Sequence, residues 1–82
     1  MNVILYGKPN CGGCVATKRA LEKQGTPFEY VDIEQSGLGR AAVEDLGYSS
    51  LPVVFVSRSV HWPGFRPDRI KELPAYLEAN NA

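Results

Sequence analysis

Cys11 and Cys14 are the chain's two cysteines. They stand three positions apart, where an apolar run gives way to a run of helix formers. Cysteine reacts as the thiolate, and a free thiol has a pKa of about 8.5. The first turn of a helix offers unpaired backbone N–H groups and the positive end of the helix dipole. Both favour a negative sulfur at Cys11. Cys14, one turn later, points back toward Cys11 and sits deeper, placed to attack a mixed disulfide formed there. Lys8 lies just upstream. It either adds positive charge near the thiolate or is an ordinary solvated loop lysine.

Other chemistries compete for the pair. A disulfide across so short a loop removes little entropy from the unfolded chain, so it is a poor staple. A structural zinc site needs four Cys or His ligands, and His61 alone cannot complete the set. An iron–sulfur cluster shared between two chains remains open on ligand count. Two buried cysteines packing as small hydrophobes is the bland alternative. Gly12 and Gly13 argue against it, because they remove any side chain that would cover the sulfurs. Each glycine also weakens the helix start by up to about 1 kcal/mol relative to alanine.

The flanking elements suit this chemistry. Residues 2–6, apolar from Val3 onward, read as a strand buried on both faces. A helix is expected from Cys11 to Gln24, with Cys14, Thr17 and Leu21 on one face, Asn10 as N-cap and Gly25 just past its end. Phe28 to Ile33 reads as a second strand. Leu38 to Leu46 reads as a short helix with Ala41, Ala42 and Leu46 inward, stopped by Gly47. Pro52 to Val56 and Val60 to Trp62 read as two strands joined through Ser57-Arg58-Ser59. Pro67 suits the first position of a last helix, which Pro74 is expected to kink or split. Glu78 to Ala82 reads as a fraying tail. The order βαβαββα gives an α/β domain over residues 1–82. Its small four-stranded mixed sheet carries three helices and resembles the thioredoxin-like fold.

Composition narrows the function classes. The chain has 82 residues, 44% of them hydrophobic and 22% charged, which suits one folded domain rather than a disordered segment. Nine basic and nine acidic residues cancel, so there is no electrostatic footprint for nucleic acid. The longest purely aliphatic or aromatic runs, Val3 to Tyr6 and Val53 to Val56, fall far short of the roughly 20 residues that span a bilayer. No basic leader precedes a long apolar stretch, so a signal peptide is not expected and a cytoplasmic location is. Nothing points to a stable oligomer, and a monomer is expected.

The sequence resembles the glutaredoxin-like NrdH-redoxins over nearly its whole length. The resemblance rests on Tyr6-Gly7-Lys8-Pro9-Asn10-Cys11-Gly12-Gly13-Cys14, Ala16-Thr17-Lys18-Arg19-Ala20-Leu21, Leu46-Gly47-Tyr48, Leu51-Pro52-Val53-Val54 and Trp62-Pro63-Gly64-Phe65-Arg66-Pro67-Asp68. It implies a thioredoxin-folded carrier with no bound cofactor. Electrons would come from NADPH through thioredoxin reductase and pass to a class Ib ribonucleotide reductase. It implies Cys11 as nucleophile, Cys14 as resolving thiol and a cis-proline at Leu51-Pro52 facing them, with the Leu51 backbone pairing an incoming strand. Lys8, Leu51, Pro52, Trp62, Gly64, Phe65 and Arg66 form the implied partner-binding set. For Trp62 and Phe65 the alternative is that they seal the sheet against the last helix; for Arg66 it is a solvated loop residue.

Glutathione-using glutaredoxins commonly carry Gly-Gly and an acidic residue just after the fourth strand. Here Pro63 replaces one glycine and Arg66-Pro67 lies where the acidic residue would fall, which argues against a tight glutathione site. Asp68 is expected to serve the start of the last helix. The chain departs from the family in Gly12-Gly13, where bulkier residues are usual, in Pro63, where the motif has serine, and in Pro74. A glutathione-dependent glutaredoxin and a dimeric cluster-binding module are the alternatives to the carrier.

Overall fold

In the computed structural model, which describes residues 3–80, β1 (Val3–Gly7) lies inside a four-stranded sheet of order β2-β1-β3-β4. It runs parallel to β2 (Phe28–Asp32), with Leu5 opposite Tyr30, and antiparallel to β3 (Val53–Ser57), with Leu5 opposite Val54. β4 (Val60–Pro63) pairs antiparallel with β3 and places Trp62 opposite Val54. Because β1 is covered on both faces, it needs apolar side chains at odd and even positions alike. Val3 and Leu5 pack with Leu21, Val54, Val56, Trp62, Ile70 and Leu73, while Tyr6 packs with Val43 and Val53. Helices α1 (Gly12–Lys23) and α3 (Pro67–Asn80) supply the first face and α2 (Gly37–Asp45) the second. The expected thioredoxin-like βαβαββα order is therefore the observed one. Of the expected first strand, Asn2 lies outside the described residues. In the tail, α3 continues to Asn80, and Asn81 and Ala82 lie outside the described residues.

The helix ends follow local chemistry. At the end of α1, Gly25 has φ +76°; its N–H donates to the Glu22 carbonyl at 3.1 Å and the Thr26 N–H donates to the Leu21 carbonyl at 3.0 Å. Gly47, at φ +82°, closes α2 in the same way, with bonds to the Glu44 and Val43 carbonyls. Such paired bonds use carbonyls that a helix end otherwise leaves open, and glycine reaches positive φ without a Cβ penalty.

α2 and α3 each depart from expectation. Ala41 is exposed rather than inward, and Gly39 with Val43 faces the sheet. A Cβ on Gly39 would stand 2.6 Å from Val31 Cγ1. The helix therefore settles on β2 at a distance only glycine allows. Ser36 caps it by accepting the Gly39 N–H at 2.9 Å. Pro74, in turn, does not split α3, which is continuous around it. A proline at 74 cannot donate to the carbonyl of residue 70. The Gln24 side-chain amide donates to that Ile70 carbonyl instead, at 2.9 Å, and also to Thr26 Oγ1 at 2.8 Å. Gln24→Ala removes this substitute donor. It is expected to lower stability by about 1–2 kcal/mol, read as a lower urea midpoint with an unchanged slope.

β3 and β4 turn through Arg58 and Ser59, with an irregularity between Phe55 and Ser57. Ser57 belongs to β3 rather than to the connection. β2 and β4 are the sheet's edges, and Pro63 closes β4. Among the described residues no helix is long and apolar enough to cross a membrane.

Candidate active site

β1 leads through Lys8-Pro9-Asn10 to the first turn of α1. Asn10 adopts a left-handed conformation at φ +59° and is not the cap. Cys11 itself is the N-cap: its backbone is extended and its Sγ accepts the Cys14 N–H at 3.1 Å. The sulfur thus holds one of the helix's otherwise unpaired donors, which favours negative charge on it. Cys11 is half-buried, whereas Cys14 is 2% exposed on the inner face of α1 with Thr17 and Leu21. A disulfide joins the two, with the Cα atoms 5.2 Å apart. One sulfur faces solvent at a helix start and the other lies behind it, so an incoming disulfide meets Cys11 first.

The glycines between the cysteines differ. Gly12 has open space where a Cβ would be. A Cβ on Gly13 would lie 3.0 Å from Pro52 Cδ and 3.9 Å from Phe65 Cβ. Gly13 therefore lets the Leu51-Pro52 loop press against the dithiol. The Leu51-Pro52 bond is cis, as the resemblance implied. The Gly64 N–H donates to the Pro52 carbonyl at 2.7 Å and ties the segment after β4 to this loop. Phe65, 42% exposed, rims the site beside Gly13. On the other side Cys11, Lys8, Leu51, Arg40 and Tyr48 help line an open groove of about 570 Å³.

Not all the expected partner residues face outward. Trp62 is 3% exposed, packed in the core with Leu5, Ile70 and Leu73, and the Arg69 guanidinium lies 5.1 Å from its ring centre. It seals the sheet and presents no docking face. Arg66 is exposed but donates to the Asp68 carboxylate at 3.2 and 3.3 Å. That hydrogen bonding holds the Asp68 carboxyl below the ordinary carboxylate range. Lys8 is exposed at the groove, while Leu51 and Gly64 are half-buried.

Two features of the site escaped the sequence reading. The Tyr48 hydroxyl meets His61 Nδ1 at 2.7 Å, joining the segment after α2 to β4. Tyr30 reaches the space above Gly7 beside Cys14. The parallel register that pairs Leu5 with Tyr30 is the signal that would have found the second.

A glutaredoxin family model matches residues 3–62. The glutaredoxin-like protein NrdH of Salmonella typhimurium is 38% identical over 82 residues, covering all of both chains. That of Escherichia coli is 37% identical over 73 residues, 89% of each. The solved structure of the Escherichia coli NrdH-redoxin, described as glutaredoxin-like with a thioredoxin-like activity profile, superposes with a TM-score of 0.83 at 37% identity. It covers 89% of this chain and 95% of that one. Identity of this degree over nearly the full length means that the chain belongs to the glutaredoxin family, as an NrdH-like thiol–disulfide oxidoreductase whose redox pair is Cys11–Cys14.

Proposed function

We propose that the chain is a carrier of electrons to protein disulfides, with the disulfide of a class Ib ribonucleotide reductase large subunit as its target. The Cys11 thiolate attacks one sulfur of the target disulfide; a Cys11–target bond forms and the target's other sulfur leaves as thiolate. The Cys14 thiolate then attacks Cys11, releases the second target sulfur and closes the Cys11–Cys14 disulfide. Each thiolate that leaves takes its proton from solvent. NADPH, acting through thioredoxin reductase, reopens the pair without a cofactor bound to this chain. The cytoplasm, where thiols are kept reduced, is the setting.

The observation that carries the reading is the asymmetry of the pair. Cys11 stands at a helix start with its sulfur on a backbone N–H, and Cys14 is buried behind it. The choice of reductase is supported by the thioredoxin-like activity profile of the Escherichia coli relative. It is supported too by Arg66, paired to Asp68, standing where a glutathione site would need a free acidic group. The rim of Phe65, Pro52, Leu51 and Lys8 suits brief docking, for which interfaces fall below about 1,200 Å².

A coupled assay tests it. Oxidised protein and insulin are mixed with NADPH and thioredoxin reductase, or with NADPH, glutathione and glutathione reductase. Fast NADPH consumption in the first arm alone is expected; turnover in the glutathione arm alone would make the protein a glutathione-dependent glutaredoxin. Cys14→Ser is expected to trap a mixed disulfide through Cys11 in at least about nine-tenths of the protein, seen as an adduct mass that dithiothreitol removes. Turnover of this variant like the parent would reverse the role assignment.

A further inference from the structure

Cys14 is the buried member of the pair, and a buried thiol ionises poorly unless a donor meets the thiolate. The Tyr30 hydroxyl stands near Cys14. A Cβ built on Gly7 would lie 3.0 Å from the Tyr30 ring, 3.0 Å from its hydroxyl oxygen and 3.1 Å from Cys14 Sγ. The phenol and the sulfur therefore border the same small space, which any residue but glycine at position 7 would fill. The register explains the approach. Tyr30 pairs with Leu5, and Gly7 is two residues further along the same face of β1. A long aromatic side chain spans that diagonal. Lys18, one helical turn beyond Cys14, places Nζ 5.5 Å from the centre of the Tyr30 ring.

The geometry points to Tyr30 as the hydrogen-bond partner of Cys14: when the disulfide opens, its hydroxyl donates to the Cys14 thiolate, and the Lys18 charge over the ring supports that thiolate. This rests on the reading of Cys14 as the resolving thiol. In the resolving step the Cys14 proton leaves to solvent, the Cys14–Cys11 bond forms, and the Cys11–target bond breaks. The target sulfur departs as thiolate and takes a proton from solvent. Tyr30 keeps its own proton throughout. Burial first, and then the Asp32 carboxylate, holds its phenol above the ordinary value, so it remains a donor at neutral pH. Lys18 from α1 and Asp32 from β2 are the charged groups that bear on it.

The test loads Cys11 with a chromogenic aryl disulfide and follows release of the second thiol against pH. Tyr30→Phe keeps the ring and removes the donor. It is expected to slow release near neutral pH by roughly tenfold and to move the profile upward by about one pH unit. The rate of the first attack by Cys11 should stay unchanged. Lys18→Met, which leaves the phenol in place, should shift the profile the same way by about twofold. Superimposable profiles for parent and both variants, with Cys14→Ser still trapping the adduct, overturn the inference alone. Failure of Cys14→Ser to trap overturns the role of Cys14 and the inference with it.

Discussion

Replacing Cys11 with serine is expected to abolish reduction of insulin disulfides, lowering turnover by at least about a thousandfold. The reason is chemical rather than structural. A serine hydroxyl stays protonated where a cysteine at a helix start ionises, so the nucleophile is lost. The fold, by contrast, keeps its cap. Cys11 holds the Cys14 N–H at 3.1 Å, and serine is among the best N-cap residues. Under reducing conditions, where the disulfide does not enter the comparison, the variant should melt within a degree or two of the parent. NADPH consumption in the reductase-coupled assay and a thermal scan together check both halves. A variant that kept turnover would remove Cys11 from the attacking role. Loss of turnover together with loss of fold would instead make Cys11 primarily a cap.

The second large effect is on stability. Trp62→Ala is expected to cost about 3–5 kcal/mol, the usual range for emptying a buried indole site. A chain of this length has roughly 4–12 kcal/mol in all. The variant should therefore lose much of its cooperative transition, with a melting point lower by at least about 12 °C. Trp62 is 3% exposed, sits opposite Val54 on β4, and joins the sheet to Ile70 and Leu73 of α3. Trp62→Phe leaves most of that volume filled and should keep both fold and reductase turnover. An alanine variant that melted with the parent but no longer accepted electrons from thioredoxin reductase would return Trp62 to the docking surface.

Local signals carried most of the fold. Gly25 and Gly47 marked helix ends because a positive φ follows directly from residue type, and Pro67 marked a helix start. The apolar run of β1 announced a strand covered on both faces. What misled was one adjacent residue and, for α2 and α3, a neighbour distant in sequence. Asn10 is a good cap by type, but Cys11 occupies that role and its own sulfur takes the N–H. Ala41 looked inward by helix periodicity. The close seat of Gly39 on Val31 rotates the buried face of α2 toward Gly39 and Val43. Pro74 should break a helix, and only Gln24, 50 positions earlier, supplies the donor that lets α3 continue. At the site, the dithiol was legible from its spacing together with its place between an apolar strand and a helix. The burial of Trp62 was left open, and the approach of Tyr30 to Cys14 was invisible, because it depends on the register between two parallel strands.

Pro63 closes β4, one of the two outer strands of the sheet. The other, β2, follows Pro27 and carries the exposed carboxylate of Glu29. An outer strand is a template on which another chain can lay its own backbone, and proline lacks the N–H that such a ladder would use there. Proline beside or within both margins, with a charge on one, makes this sheet a poor seed for fibrils. A protein with such margins can accumulate to high concentration in its folded form, and Pro63 contributes to that solubility.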